Sequence, residues 1–488
     1  MLFRSLGDSH ARDQVVHGEL AVDATGRMLA IRAQAVQAVG AYGTGTLAPI
    51  EFSVRLIPNV YDVQAVHLVT RGIWTHTSPI TSYRGAGRPE AVTLVERLLD
   101  RAAEKLGLSP VEIRRRNFIA PATMPYRTPT GHVYDGGDFA QVLERCVALA
   151  DWNGFEQRRA ASAARGRLRG RAVTFYIEVG GRMNERMELR CDSSGTVTIV
   201  AGTHSHGQGH ATTYAQLVTE WLGVPFDAIR FVQGDTDQVP FGRGSFAARA
   251  SLVGGCALKV ASDRLVEKAK PMAAYLMEAA ANDIQFSQGR FSIAGTDRAL
   301  PFADVVKAFY RPSLPREIGV GLEASGTWEP EPPNYPNGCH ICELEVDPET
   351  GVVSLDRYTV VDDLGRVINP MICEGQIHGG LAQGIGQALM EHVVYDRDSG
   401  QLLSGSFTDY CMPRADDLCA FEVGYVEVPC KTNPLGIKGV GEAGAVGSPP
   451  TITNALVDAL KPLGVAHVEM PATPWRVWDA IRRARRGA

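Results

Sequence analysis

Three stretches of the chain carry one pattern, and that pattern limits the folds open to it. GELAVDATGRMLAIRA (18–33), RMELRCDSSGTVTIVAG (186–202) and CELEVDPETGVVSLDRYTVV (342–361) each alternate apolar with polar residues, break at a turn containing Asp and Gly, and resume the alternation. Alternation with period two around such a turn predicts a β-hairpin, with Gly26, Gly195 and Gly351 in the turns. The wide separation of the three argues for related β-rich units and against a short-period solenoid.

Helical patterns lie between the hairpins. In PEAVTLVERLLDRAAEKLG (89–107), Val92, Val95, Leu99, Ala102 and Leu106 share one helical face, and Gly107 is placed to stop the helix. The following SPVE predicts a new helix with Ser109 as N-cap, Pro110 in the first turn and Glu112 completing a capping box. CEGQIHGGLAQGIGQALMEHV (373–393) also reads as a helix despite five glycines. Each interior Gly costs about 1 kcal/mol against Ala, so close packing or a cofactor's approach is expected to compensate. RRAASAARGRLRGR (158–171) holds six arginines and reads as a solvated helix and linker. That places boundaries giving segments 1–120, 121–172 (linker and helix) and 173–488. Hairpins mixed with helices, without regular βαβ alternation, predict an α+β (mixed α/β) class built of two β-rich units with packed helices.

Composition excludes several classes. At 45% hydrophobic and 21% charged, the 488 residues can bury a sizeable core. A net charge of −5 gives no sign of a nucleic-acid or membrane-surface partner. No run of 18 apolar residues predicts a membrane span, and no apolar signal core opens the chain. Nine irregularly spaced cysteines suit a reducing cytoplasm better than a disulfide framework. The first hairpin begins with almost nothing before it, so an N-terminal portion is expected to be lacking. Leu2-Phe3-Arg4-Ser5 matches what a sequencing adaptor encodes, which makes Met1–Ser5 an expected artefact.

Six short stretches attract chemistry. In TSYRGAGRPEA, Arg84 and Arg88 flank Gly85, Ala86 and Gly87 just before a helix, a setting for an anion or oxo group or simply a Gly-rich helix start. GTHSHGQGHATTYAQL runs from a strand through a Gly-rich loop to a helix N-terminus. Gln208 between Gly207 and Gly209, with His210, can cradle a cofactor; His204, His206 and His210 can alternatively be read as zinc ligands of a metallohydrolase. In GDTDQVPFGRGSFAARASLVGG, Gly244, Ser245, Arg249 and Ser251 offer donors to phosphate, and Asp235 and Asp237 are acid/base candidates or turn residues. CHIC (339–342) has metal-site spacing but lacks a second pair. Asn369, Gln376 and His378 bond a nucleotide or cap a helix. Last, GIKGVGEAGAVGSPP (436–450) sets Glu442 alone: no other Asp or Glu lies between Glu427 and Asp458. An apolar, water-poor loop disfavours a carboxylate's ionised form, which suits a general base. Lys438, four residues away, is its expected ion-pair partner.

Together and in order, SYRGAGRPEA, HSHGQGHATTYAQL, GRGSFAARASLVGG, GRVINPMICEGQIHGGLAQGIGQAL and IKGVGEAGAVGSPPTITNAL resemble the molybdenum-binding large subunit of the xanthine dehydrogenase, aldehyde oxidase and carbon monoxide dehydrogenase family. The resemblance spans residues 8 to 480 and implies this family's molybdopterin-binding domains, the first ending near residue 120 and the second filling 173–488. It implies a molybdopterin cofactor, in cytosine dinucleotide form, whose dithiolene holds molybdenum without a protein ligand. Glu442 matches the family's catalytic glutamate, which takes a proton from a metal-bound hydroxyl so that water-derived oxygen reaches a carbon of an aldehyde or N-heterocycle. Arg84 matches an arginine beside the substrate. Gly85, Ala86, Gly87, Gly207, Gln208, Gly209, His210, Gly244, Ser245, Arg249, Asn369, Gln376, Gly439, Val440 and Gly441 are the implied cofactor contacts. Iron–sulfur clusters and FAD are expected on partner subunits, in a dimer of heterotrimers. Gly85 stands where carbon monoxide-oxidising members carry a copper-binding cysteine, which argues against that reaction. The alternative is a catalytically incomplete fragment that binds partner subunits.

Overall fold

The computed structural model describes residues 9–43, 45 and 47–487; Met1–Ser5 lie outside them. In chain order the elements begin with β1 (Gln14–Val22), β2 (Met28–Gly40), α1 (Leu47–Arg55), β3 (Ala65–Trp74), α2 (Arg88–Leu106) and α3 (Pro110–Asn117). A short pair, β4 (Tyr126–Arg127) and β5 (Val133–Tyr134), precedes α4 (Phe139–Leu149), α5 (Phe155–Ala164) and β6 (Leu168–Ile177). Next come β7 (Glu185–Cys191), β8 (Val197–Ala201), α6 (His210–Leu222), β9 (Ile229–Gln233) and α7 (Gly255–Met277). They are followed by β10 (Ile284–Ser287), β11 (Arg290–Ile293), β12 (Ala299–Pro301), α8 (Phe302–Ala308) and β13 (Leu322–Trp328). The chain closes with β14 (Asn337–Val346), β15 (Val353–Asp363), α9 (Pro370–Leu389), β16 (Phe421–Val426), α10 (Ala443–Leu460) and α11 (Pro474–Gly487).

All three predicted hairpins form, as β1–β2, β7–β8 and β14–β15, each antiparallel. One aspartate organises each turn. Asp23, Asp192 and Asp347 accept backbone N–H bonds from residues two positions ahead, Thr25, Ser194 and Glu349. The glycine then turns through positive φ: 87° at Gly26, 91° at Gly195 and 74° at Gly351. The likeness goes further than the hairpins. In each unit the second strand leads into a helix, and the chain returns as a third strand parallel to it: β3 beside β2, β9 beside β8, β16 beside β15. β13 extends the second sheet and β6 the third, giving the orders β13-β7-β8-β9 and β16-β15-β14-β6.

Three cores fill the spaces. The first gathers Leu56, Tyr61, Leu99, Phe139 and Phe175; the second Leu189, Val218, Leu258 and Phe302; the third Val360, Leu381, Ile452 and Leu456. β14 serves two of them. Cys339 and Ile341 face the first core, while Cys342, Leu344 and Val346 face the third. Alternation along a strand therefore sends the two thiols of CHIC to opposite faces, which suits packing and not a shared metal.

Two expectations are corrected. The arginines of 158–171 are not a solvated linker. They lie on α5, on β6 and in the turn between, and they pair with acids: Arg158 and Arg169 with Glu343, Arg165 with Glu345, Arg167 with Asp347 and Arg159 with Asp458, the last three arginines staying partly exposed. The guanidinium of Arg171 lies 3.8 Å from the Trp152 ring centroid. A run of one sign reads as solvated only when no opposite run faces it, and the acids of β14 do. The capping box at Ser109 is half made: Ser109 Oγ accepts the Glu112 N–H at 3.0 Å, but the Glu112 carboxylate turns to Arg115 and Arg116.

Two of the five glycines of α9, Gly380 and Gly384, are explained by packing against α10. α9 crosses α10 so closely that a Cβ on Gly444 would lie 2.5 Å from the Ile377 carbonyl oxygen, and one on Gly384 would lie 1.8 Å from Ser448 Oγ. This crossing fixes the start of α10, and with it Glu442.

Candidate active site

Two equivalent connections, the loop from β8 into α6 and the loop from β15 into α9, line one cleft of about 540 Å³. The segment 245–251, the segment 437–442 and Arg84 complete its walls. Four of the six stretches singled out in the sequence thus supply most of the lining, and a fifth contributes Arg84.

Glu442 lies at the start of α10, mostly buried, with 14% of its side chain exposed. Its surroundings are not apolar, which corrects the sequence reading. Glu442 Oε2 accepts the Gly85 N–H at 3.1 Å and Arg88 Nη1 at 3.0 Å. Oε1 receives no protein donor among the described residues. Lys438 is not the partner. It is buried and bonds Asp363 Oδ2 at 2.5 Å, because the loop is not helical and spacing of four does not bring side chains together. Gly85 reaches Glu442 through a turn at φ 95°, which glycine adopts freely.

Arg84 stitches this loop to α9. Its Nε donates to the Gly441 carbonyl at 2.6 Å, Nη1 to Gln383 Oε1 at 3.0 Å, and Nη2 to the Gln376 carbonyl at 3.0 Å. Burial lowers its affinity for the proton, against the pull of Glu442. Gly85, Ala86 and Gly87 are not among the residues that line the cleft. They turn behind Glu442, where a Cβ on Gly87 would meet the Pro49 carbonyl oxygen at 2.0 Å.

Gly207, Gln208, His210, Ser245, Asn369, Gln376, Gly439, Val440 and Gly441 all line the cleft; Gly209 and Gly244 support it from behind. Burial, aided by His206 and His204, lowers His210 to about 4, so its ring is neutral at neutral pH. Asn369 caps α9 by accepting the Ile372 N–H at 3.0 Å and donates to Gln216 at 2.9 Å. Arg249 is on the wall, but its guanidinium is fully buried and donates to Glu185 and to the carbonyls of Arg182, Asn184 and Gly244. It orders the loop instead of offering a free phosphate donor. His378 pairs with Glu374 outside the cleft, and Asp235 holds its own turn through the Asp237 N–H and Gln238.

The cleft suits an anionic, polar cofactor. No side chain caps α6 at Gly209, so the N-terminus of α6 opens there with unspent N–H groups, whereas the first N–H groups of α10 are taken by the carbonyls of Val440 and Glu442. Ser245 Oγ and His210 Nδ1 are buried without a partner. The loops meet tightly at its floor: a Cβ on Gly439 would lie 2.7 Å from the Ala248 carbonyl oxygen. Among the described residues, no cluster of His, Cys, Asp or Glu is arranged to hold a metal ion.

Sequence reasoning found the loops but missed Arg88 as the partner of Glu442, and missed Glu178. Glu178 ends the apolar run AVTFYI, and an acid closing such a run is a signal for burial; its side chain is fully buried beside Arg88.

Comparison with known proteins agrees with the geometry. Residues 4–118 and 145–419 each match a molybdopterin cofactor-binding domain. The chain is 35% identical to the carbon monoxide dehydrogenase large chain of Hydrogenophaga pseudoflava, over 97% of this chain and 61% of that one. It is 34% identical to the nicotine 6-hydroxylase large subunit of Paenarthrobacter nicotinovorans, over 98% and 60%. The crystal structure of quinoline 2-oxidoreductase from Pseudomonas putida 86 superposes with a TM-score of 0.92 at 35% identity, over 98% of this chain and 63% of that one. The chain thus spans about 60% of the length of these relatives.

Proposed function

The chain belongs to the molybdenum-binding large-subunit family of xanthine dehydrogenase, aldehyde oxidase and carbon monoxide dehydrogenase, and from that premise we propose that it is the catalytic molybdenum subunit of a hydroxylase, or the larger part of one. Its substrate class is an aldehyde or an electron-poor carbon of an N-heterocycle, and the oxygen added comes from water. One observation carries the reading: a single carboxylate, Glu442, lines the cleft at the start of α10 with its Oε2 pinned by Gly85 and Arg88.

The residues present fit a pterin dinucleotide. The open N-terminus of α6, with Gln208, His210, Ser245 and Gln376, would hold its polar edges and phosphates. When bound, the cofactor supplies the metal centre that accepts two electrons from the substrate. Glu442 accepts a proton at Oε1, while Gly85 and Arg88 keep Oε2 fixed so that no reorganisation is needed during transfer. Arg84 holds Gly441, and so the backbone before the base, in one place. His210, neutral at working pH, adds no positive charge to the cleft.

The cofactor's cytosine dinucleotide form, iron–sulfur and FAD subunits as partners, a dimer of heterotrimers and a cytoplasmic setting complete the proposal. Among the described residues no helix is long and apolar enough to cross a membrane. Carbon monoxide oxidation is disfavoured. At the copper-cysteine place, Gly85 has φ 95°, and a Cβ would lie 2.8 Å from the Pro89 ring.

Glu442→Gln tests the base: cofactor content is expected to stay intact while turnover falls by about 10²-fold or more. Activity near that of the parent rejects the role. A second reading, a catalytically incomplete fragment that binds partner subunits, draws on the partial coverage of the relatives. Stoichiometric molybdenum with cytidine nucleotide in the purified protein supports the first reading; their absence supports the second.

A further inference from the structure

Behind Glu442 lies a second carboxylate that the proposed mechanism does not use. Glu178, the residue after β6, is fully buried, and neither of its oxygens receives a hydrogen bond from any N–H or O–H. Its nearest cation is Arg88, with Nη2 4.0 Å away, but the two terminal nitrogens of that guanidinium are committed elsewhere, Nη1 to Glu442 and the Gly85 carbonyl and Nη2 to the Val179 carbonyl, while Nε is buried without a partner among the described residues. Glu442 itself lies within hydrogen-bonding reach of Glu178. Two carboxylates therefore share one guanidinium in a water-poor site. An ionised pair would set acceptor against acceptor and leave one buried negative charge uncompensated, a costly arrangement. One proton between them removes both problems.

We propose that Glu178 is a positioning residue for Glu442: it holds a proton and donates it to the Glu442 carboxylate as a hydrogen bond, fixing that carboxylate's orientation toward the cleft. The proposal rests on the reading of Glu442 as the base. Burial first, then the charge of Glu442, raises the Glu178 carboxyl well above its ordinary value. The other charged or titratable groups near Glu178 are Arg84, which opposes that rise, and Tyr176 on β6, whose hydroxyl is bound to Asp362. Of these three groups, only Glu442 is placed to accept the Glu178 proton.

Infrared spectroscopy of the full chain at neutral pH tests the proton directly. A carboxylic-acid C=O band is expected in the difference between the parent and Glu178→Gln. No such difference band overturns the proposal, whether or not any substrate is ever turned over, so this outcome is distinct from a failure of the hydroxylase reading. In the cofactor-loaded complex, Glu178→Leu removes the donor and is expected to lower kcat about 10-fold or more with KM and molybdenum content little changed. Glu178→Gln keeps a donor and is expected to recover much of that loss, with a pH profile altered relative to the parent. Equal losses in both variants overturn the positioning role.

Discussion

Asp362 and Asp363 stand side by side at the end of β15, yet their carboxylates meet opposite surroundings. Asp363 collects Lys438 Nζ, the Asn337 amide and the backbone N–H groups of Gly365 and Val428. Asp362 faces the other way and receives only the Tyr176 hydroxyl, at 3.0 Å. Burial pushes Asp362 up to about 8, so the folded chain keeps a proton there that the unfolded chain releases near pH 4. The stability it contributes is fully present below about pH 4 and is lost as pH rises through about 8. The slope across that window is up to about 1.4 kcal/mol per pH unit. Asp362→Asn keeps an acceptor for Tyr176 and is expected to flatten that slope when urea unfolding is compared at pH 5, 6, 7 and 8; identical slopes in parent and variant refute the assignment. Single residues were legible where chemistry isolated them. Glu442 stood out as a lone acid among glycines. Its partners did not, because Arg88, Gly85 and Glu178 come from segments more than 250 residues away, and local spacing pointed to Lys438 instead.

At the scale of elements, the glycines of α9 divide by what surrounds them. Gly380 and Gly384 face α10, where a Cβ would meet the Ala445 backbone and the Ser448 side chain, and Gly444 answers from the other side against the Ile377 carbonyl. Gly444→Val is expected to push the helices apart and cost about 1–3 kcal/mol, read as a lower urea midpoint. Because Glu442 lies two residues away, bound molybdenum should fall with it. Gly375 has nothing within 4 Å of its Cβ position and lies in the exposed part of the same helix. There Gly375→Ala is expected to stabilise by about 0.5–1 kcal/mol, since only the backbone cost of glycine remains. Destabilisation by Gly375→Ala would show that helix propensity is not what this position lacks. The helix was readable from its pattern, and the need for close packing followed from the glycine count. Which glycines meet α10 depends on the crossing itself, a property of two segments and not of either alone. The arginines of 158–171 fail for the same reason: their acids lie on and just after β14 and on α10, far along the chain.

Across the whole molecule, β14 ties two cores together. Ile341 belongs to the first and Leu344 to the third, on opposite faces of one strand. Ile341→Ala and Leu344→Ala are each expected to cost about 2–5 kcal/mol and to lower the same calorimetric transition. Two transitions, one shifted by each variant, would show the cores to be independent. The mixed α/β class and the hairpins were legible, because period-two alternation with Asp-Gly turns is local. The return of a parallel third strand in each unit was not, since parallel pairing leaves no mark between neighbours in sequence. The contact between Arg84 and the Gly441 carbonyl spans 357 positions of the chain, as does that between Gly85 and Glu442. During synthesis the cleft walls built from residues 206–251 are made long before the segment that carries the base. The pocket therefore has no floor until translation has passed residue 442, so a ligand arriving earlier would find only part of its site.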